Sequence, residues 1–95
     1  MATNKHFFYV LRCKDDSLYA GYTNDLTKRI RLHNEGKGAK YTRGRGPVEL
    51  VFSKEFPSKP EAMRAEYRFK QLTRPTKLEI IEKESDFFDV AAEEL

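Results

Sequence analysis

Cysteine is nearly missing from this chain of 95 residues, where Cys13 stands alone. An internal disulfide is therefore excluded, and a small residue in a strand is the simplest role for Cys13. With only two histidines and no Cys-x-x-Cys spacing, the ligand sets of zinc sites are absent as well. No apolar run approaches the ~20 residues that cross a bilayer. Met1 to Lys5 lead into no signal-peptide core or cleavage site, so a cytoplasmic protein without membrane contact is expected. Neither repeats nor a linker divide the chain, whose length suits one domain around one core. Residues 1–83 are expected to form that domain and residues 84–95 an acidic tail.

Charge is what the chain has in quantity, at 35% of residues against 39% hydrophobic, a balance that excludes disorder throughout. All 18 lysines and arginines precede residue 84, together with ten of the 15 acids, a surplus of eight positive charges. The other five acids, Glu84, Asp86, Asp89, Glu93 and Glu94, fall in the tail. So basic a body suits a polyanionic partner, although charge alone supports only non-specific attraction.

The aromatic and β-branched run His6 to Cys13, the polar turn Lys14-Asp15-Asp16-Ser17 and the run Leu18 to Tyr22 read as a β-hairpin. Thr23-Asn24-Asp25 offers N-cap chemistry, and Leu26, Ile30 and His33 then recur at helical spacing until Gly36 ends a helix of about three turns. Residues 36–46 combine Gly36, Gly38, Gly44 and Gly46 with Lys37, Lys40, Arg43 and Arg45 around Tyr41, without either periodicity, and read as a basic loop. A third strand runs from Val48 towards Phe56, with Val48, Leu50 and Phe52 on its apolar side. Ser58-Lys59-Pro60-Glu61 has capping-box spacing and opens a helix reaching about Leu72. A short helix from Pro75 to Lys83 follows, with Leu78 and Ile81 as apolar contacts, and Phe87, Phe88, Val90 and Leu95 are available to pack beyond it. The order β-β-α-β-α-α, with too few strands to close a barrel, gives an α+β fold: a small three-stranded antiparallel sheet flanked by helices.

Two polar residues fall where apolar ones belong. At 100° per residue Arg29 lies on the inward side of the first helix with Leu26, Ile30 and His33, while Lys28 and Arg31 face solvent. Glu66 lies within about 40° of Ala62 on the apolar face that Ala62, Ala65, Phe69 and Leu72 mark on the second helix. An inward charge is expensive unless a partner meets it, and a metal ion, a phosphate, a mutual Glu66 to Arg29 pair or a snorkelling arginine would each serve. Tyr9 and Tyr19 on the hairpin carry phenols able to act on a proton, and Gly21 marks a close approach or a bulge near the end of the second strand.

The ordered set Phe7-Phe8-Tyr9, Tyr19-Ala20-Gly21, Arg29, His33 and Glu66 resembles the GIY-YIG nuclease superfamily, in particular its small stand-alone bacterial members, over roughly residues 6–83. The first motif keeps only its tyrosine, and alanine replaces isoleucine in the second. The resemblance implies a metal-dependent endonuclease acting on DNA, in repair or recombination, with Tyr9, Tyr19, Arg29 and His33 as catalytic residues. Glu66 would hold one divalent ion, Mg²⁺ or Mn²⁺. Arg29 would grip the scissile phosphate, and either tyrosine would take the proton from water if Arg29 or the metal lowered its pKa. His33 would relay a proton or orient a tyrosine. The loop residues Lys37, Lys40, Tyr41, Arg43 and Arg45 would follow the nucleic-acid backbone, and as a merely solvated basic loop they would look the same. Two other functions fit the same sequence. One is a nucleic-acid-binding module without turnover, and the other an adaptor holding a protein partner through a sheet edge or the Phe87-Phe88 tail.

Overall fold

The computed structural model describes residues 5–83. Three strands, β1 (His6–Arg12), β2 (Leu18–Thr23) and β3 (Glu49–Phe56), form one antiparallel sheet in the order β2-β1-β3. The helices are α1 (Leu26–Asn34), α2 (Lys59–Lys70) and α3 (Arg74–Lys83), so the chain runs β-β-α-β-α-α and the fold is α+β. Among the described residues no helix is long and apolar enough to cross a membrane.

β1 occupies the middle of the sheet because it can be buried on both faces, and Phe8, Tyr9, Val10 and Leu11 are all fully enclosed. Alternation then divides the core in two. Phe8 and Val10 join Ala20 and Phe52 against Ala65 and Phe69 of α2 and Ile80 of α3. On the other face Tyr9 and Leu11 join Cys13 and Val48, with Tyr19 and with Leu26 and Ile30 of α1 packed against them. Cys13 is buried but lies just past the end of β1, outside the strand in which it was expected.

Two apolar positions differ from expectation. Leu50 is 37% exposed because the pairing of β1 with β3 slips between Val10 and Leu11: Phe52 lies opposite Val10, but Leu50 rather than Val51 lies opposite Leu11. This irregularity breaks the period of two that had aligned Val48, Leu50 and Phe52. On α3 the buried residue is Ile80, while Leu78 is 36% exposed. Two residues apart on a helix means about 200°, so seating Ile80 turns Leu78 outward; Ile81 keeps its partial contact with the core.

The helix ends follow local chemistry. The Asp25 carboxylate accepts the Lys28 amide at the start of α1. Gly36, with φ +75, supplies the left-handed residue just beyond its C-cap. At the start of α2 the Ser58 hydroxyl accepts the Glu61 amide, the first half of the expected capping box, while the Glu61 carboxylate takes the Ser58 hydroxyl proton and not its amide. The expectations for Phe87, Phe88 and the acidic tail lie outside the described residues.

Candidate active site

Tyr9 faces the α1 side of the sheet directly opposite Gly21 of β2. A Cβ at Gly21 would lie 2.6 Å from the Tyr9 hydroxyl oxygen, 2.7 Å from its Cζ and 3.0 Å from Tyr19 Cε2. Glycine is required here by a phenol in the side-chain space, and the strand runs on past it to Thr23. One turn apart on α1, Arg29 and His33 reach the same region, while Lys28 and Arg31 are exposed as the wheel predicted.

The Tyr9 hydroxyl is 2.9 Å from His33 Nε2, and His33 Nδ1 is 2.7 Å from the Thr42 hydroxyl oxygen. Tyr9, His33 and Thr42 are all buried. Rings enclose the imidazole: its centroid is 5.9 Å from that of Tyr9 and 5.2 Å from that of Tyr19. Tyr19 in turn stacks on Tyr41 at 5.9 Å and 26°. The expected pair of phenols is thus brought to one face of the hairpin, their ring centroids 6.3 Å apart.

Arg29 lies among these phenols, and hydrogen bonding to Tyr9 is the main cause that raises its pKa. Its Nε is buried and has no partner, the sole such side-chain nitrogen or oxygen among the described residues. Glu66 belongs to α2, which packs on the other face of the sheet through Ala65 and Phe69, yet its charge acts on Tyr9. The Glu66 carboxylate, with its side chain 20% exposed, takes Lys70 Nζ as partner at 2.7 Å. The inward glutamate is therefore met by a lysine one turn along its own helix and not by Arg29.

Burial pushes the Tyr9 phenol up to about 12, a rise that hydrogen bonding and charge from Arg29 only partly oppose. The direction is opposite to the lowered phenol expected of a free base. Burial, helped by the charge of Arg29, pushes the His33 imidazole down, which keeps it neutral. Both shifts bear on stability. The unfolded chain protonates His33 near its ordinary 6.5 while the folded chain resists, so this contribution is present above 6.5 and lost as pH falls. Tyr9 contributes fully below 10.0 and loses that contribution as pH rises through about 12. Urea unfolding is expected to find these two contributions intact between those limits, with roughly 1 kcal/mol of the Tyr9 contribution lost by pH 11. A Tyr9→Phe variant should show a smaller alkaline loss; an unchanged one would remove Tyr9 as its cause.

The loop cations divide into two groups. Lys40 and Arg43 are exposed, and exposed Lys37 lies 3.8 Å from Glu35. Arg45 instead places its guanidinium 4.5 Å above the Tyr41 ring and pairs with Asp15 of the β1–β2 turn. Its backbone carbonyl also accepts the Lys14 amide at 2.8 Å. The segment read as irregular contains a short 3₁₀ turn, Lys40–Thr42, that carries Thr42 into the core. Sequence reasoning missed Thr42, Gly38 and Lys70. Only Lys70 had a signal, since glutamate four residues before lysine on a helix is a pairing position.

Among the described residues no three His, Cys, Asp or Glu side chains cluster, so the protein offers Glu66 and not a cage. A hard divalent cation such as Mg²⁺ is commonly held by one or two carboxylates, with waters and phosphate oxygens completing its shell, and Glu66 fits that pattern.

Comparison with known proteins places these residues in context. A family model described as the GIY-YIG catalytic domain matches residues 5–79. The UPF0213 protein RBAM_000440 of Bacillus velezensis is 68% identical over 83 residues, covering 87% of this chain and 84% of that protein. The UPF0213 protein YazA of Bacillus subtilis is 64% identical with the same coverage. Among solved structures, the UPF0213 protein BH0048 from Bacillus halodurans shares 55% identity at a TM-score of 0.55, covering 82% of this chain and 83% of that one. The protein EF2693 from E. faecalis shares 43% at a TM-score of 0.58, covering 83% and 84%.

Proposed function

Because the chain belongs to the family of the GIY-YIG catalytic domain, we propose that it is a divalent-metal-dependent endonuclease that hydrolyses phosphodiester bonds in DNA. The observation that carries this reading is the buried, partnerless Nε of Arg29 between two phenols. A buried donor without an acceptor costs about 1–3 kcal/mol. A phosphate oxygen entering the site would relieve that cost, and the planar fork of arginine matches two such oxygens.

The other residues take complementary parts. Glu66 holds the divalent ion, which supplies charge neutralisation on the phosphoryl oxygens and a more acidic water. Tyr9 receives the proton of the attacking water and passes its own to His33 Nε2, so no free phenolate forms from a group whose pKa is about 12. Tyr19 orients Arg29 through hydrogen bonding and charge. Lys37, Lys40 and Arg43 follow the phosphate backbone outside the site, while Tyr41 and Arg45 brace Tyr19.

Lys70 has to yield the Glu66 carboxylate before it can take a metal ion. A partly exposed pair of this kind is worth up to about 1 kcal/mol. Lys70→Met is therefore expected to tighten Mn²⁺ binding by up to about fivefold, measured by EPR titration of free Mn²⁺. Unchanged affinity would mean that the lysine does not compete.

The same ion pair favours one other reading, a nucleic-acid-binding module whose carboxylate is permanently neutralised. Labelled DNA incubated with the protein in Mg²⁺ and in EDTA separates the two. Cleavage that EDTA abolishes supports the nuclease, whereas salt-sensitive binding without cleavage and insensitive to Glu66→Ala supports the binding module.

A further inference from the structure

We propose that Thr42 is a positioning residue that fixes His33 with its proton on Nδ1, leaving Nε2 as the acceptor for the Tyr9 proton. The inference rests on the nuclease reading for its purpose and on hydrogen-bond bookkeeping for its geometry. The Ala39 carbonyl oxygen can only accept, so the single proton of the Thr42 hydroxyl is donated to it, at 2.9 Å. The Thr42 oxygen, 2.7 Å from His33 Nδ1, must then accept from that nitrogen. A neutral imidazole carries one proton. With that proton on Nδ1, the lone pair of Nε2 faces the Tyr9 hydroxyl 2.9 Å away, and the phenol donates.

The local fold holds this arrangement. The 3₁₀ turn Lys40–Thr42 presents the threonine, with the Thr42 amide donating to the Ala39 carbonyl at 3.1 Å and the Arg45 amide to the Thr42 carbonyl at 3.1 Å. At Gly38 a Cβ would fall 2.4 Å from His33 Nδ1 and 2.7 Å from its Cγ. The loop backbone therefore closes against the ring edge that Thr42 reads, and only glycine permits that approach.

The direction of proton flow follows. As water attacks phosphorus, its proton moves to the Tyr9 oxygen while the Tyr9 proton moves to His33 Nε2. The bond from the water oxygen to phosphorus forms, the bond to the leaving oxygen breaks, and that oxygen takes a proton from solvent water. His33 ends as an imidazolium whose Nδ1 proton still rests on Thr42. The opposite tautomer would present Tyr9 with a donor and block the transfer.

Ring ¹⁵N spectra of histidine-labelled protein test this, with His33 separated from His6 by a His6→Gln variant. His33 is expected to be protonated on Nδ1 in the unsubstituted protein and in Thr42→Ser. Thr42→Val should move population to the Nε2-protonated form and lower cleavage by about 10²-fold, the scale of a lost general acid–base step, with Thr42→Ser restoring it. A proton on Nε2 in the unsubstituted protein overturns the proposal. So does a Thr42→Val variant that keeps its tautomer, whatever its rate. Since the spectra need no substrate, the expected tautomers without any cleavage would overturn the nuclease reading and leave the Thr42 assignment standing.

Discussion

Replacing Arg29 by alanine is expected to lower DNA cleavage by about 10²–10³-fold, the scale of losing one preorganised donor to the reacting phosphoryl group. Folding should survive. The Nε of Arg29 is buried and has no acceptor, so in the free protein part of the guanidinium is a desolvation cost and not a source of stability. A structural arginine behaves in the opposite way, because removing one member of a satisfied buried network costs several kcal/mol. Paired measurements of cleavage and urea unfolding distinguish these roles. Activity falling at unchanged or slightly higher stability marks a phosphate ligand. Stability falling by several kcal/mol, with activity lost only in proportion to unfolding, marks a structural residue. Arg29→Lys should recover little, since an ammonium keeps the charge but not the fork.

Gly21→Ala carries the second large effect, and it reverses the usual sign. In a strand interior alanine normally stabilises relative to glycine by roughly 0.5–1 kcal/mol, because glycine loses more backbone freedom on folding. Here the added Cβ would meet the Tyr9 hydroxyl at 2.6 Å and its Cζ at 2.7 Å. Tyr9 is fully buried and tied to His33, so its ring has little space into which to retreat. Overpacking of this kind costs about 1–3 kcal/mol. Any relief by rotation of Tyr9 breaks the hydrogen bond through which its proton leaves. Both stability and cleavage are expected to fall, with the Tyr9 and His33 resonances moving together in NMR spectra. An alanine variant as stable and as active as the parent would show that Tyr9 does not depend on the space left at Gly21.

The elements that could be read in the sequence are those specified by neighbouring residues. The hairpin follows from aromatic and β-branched runs on either side of Lys14-Asp15-Asp16-Ser17, and α2 begins where the Ser58 side chain caps the Glu61 amide. Helical period alone marked Arg29 and Glu66 as misplaced charges, and both meet the Tyr9 phenol electrostatically. Residues whose position depends on distant parts of the chain were not legible. Thr42 lies in a segment without periodicity, held by Arg45 against the β1–β2 turn some thirty positions earlier. Leu50 and Leu78 were misplaced because a register slip and a helix docking angle belong to the assembled sheet and not to either segment alone. The Glu66 to Lys70 pair was available from spacing, but an inward glutamate drew attention to partners across the core.

The most direct measurement presents single-stranded, duplex, flap and four-way DNA, each labelled, to the purified protein in Mg²⁺ and in Mn²⁺, alongside Glu66→Ala and Arg29→Ala. Cleavage of at least one substrate by the unsubstituted protein, lost in both variants while DNA is still bound, is the expected result. No cleavage of any substrate in either metal, with equal binding by all three proteins, would contradict the assignment of this site as a nuclease centre.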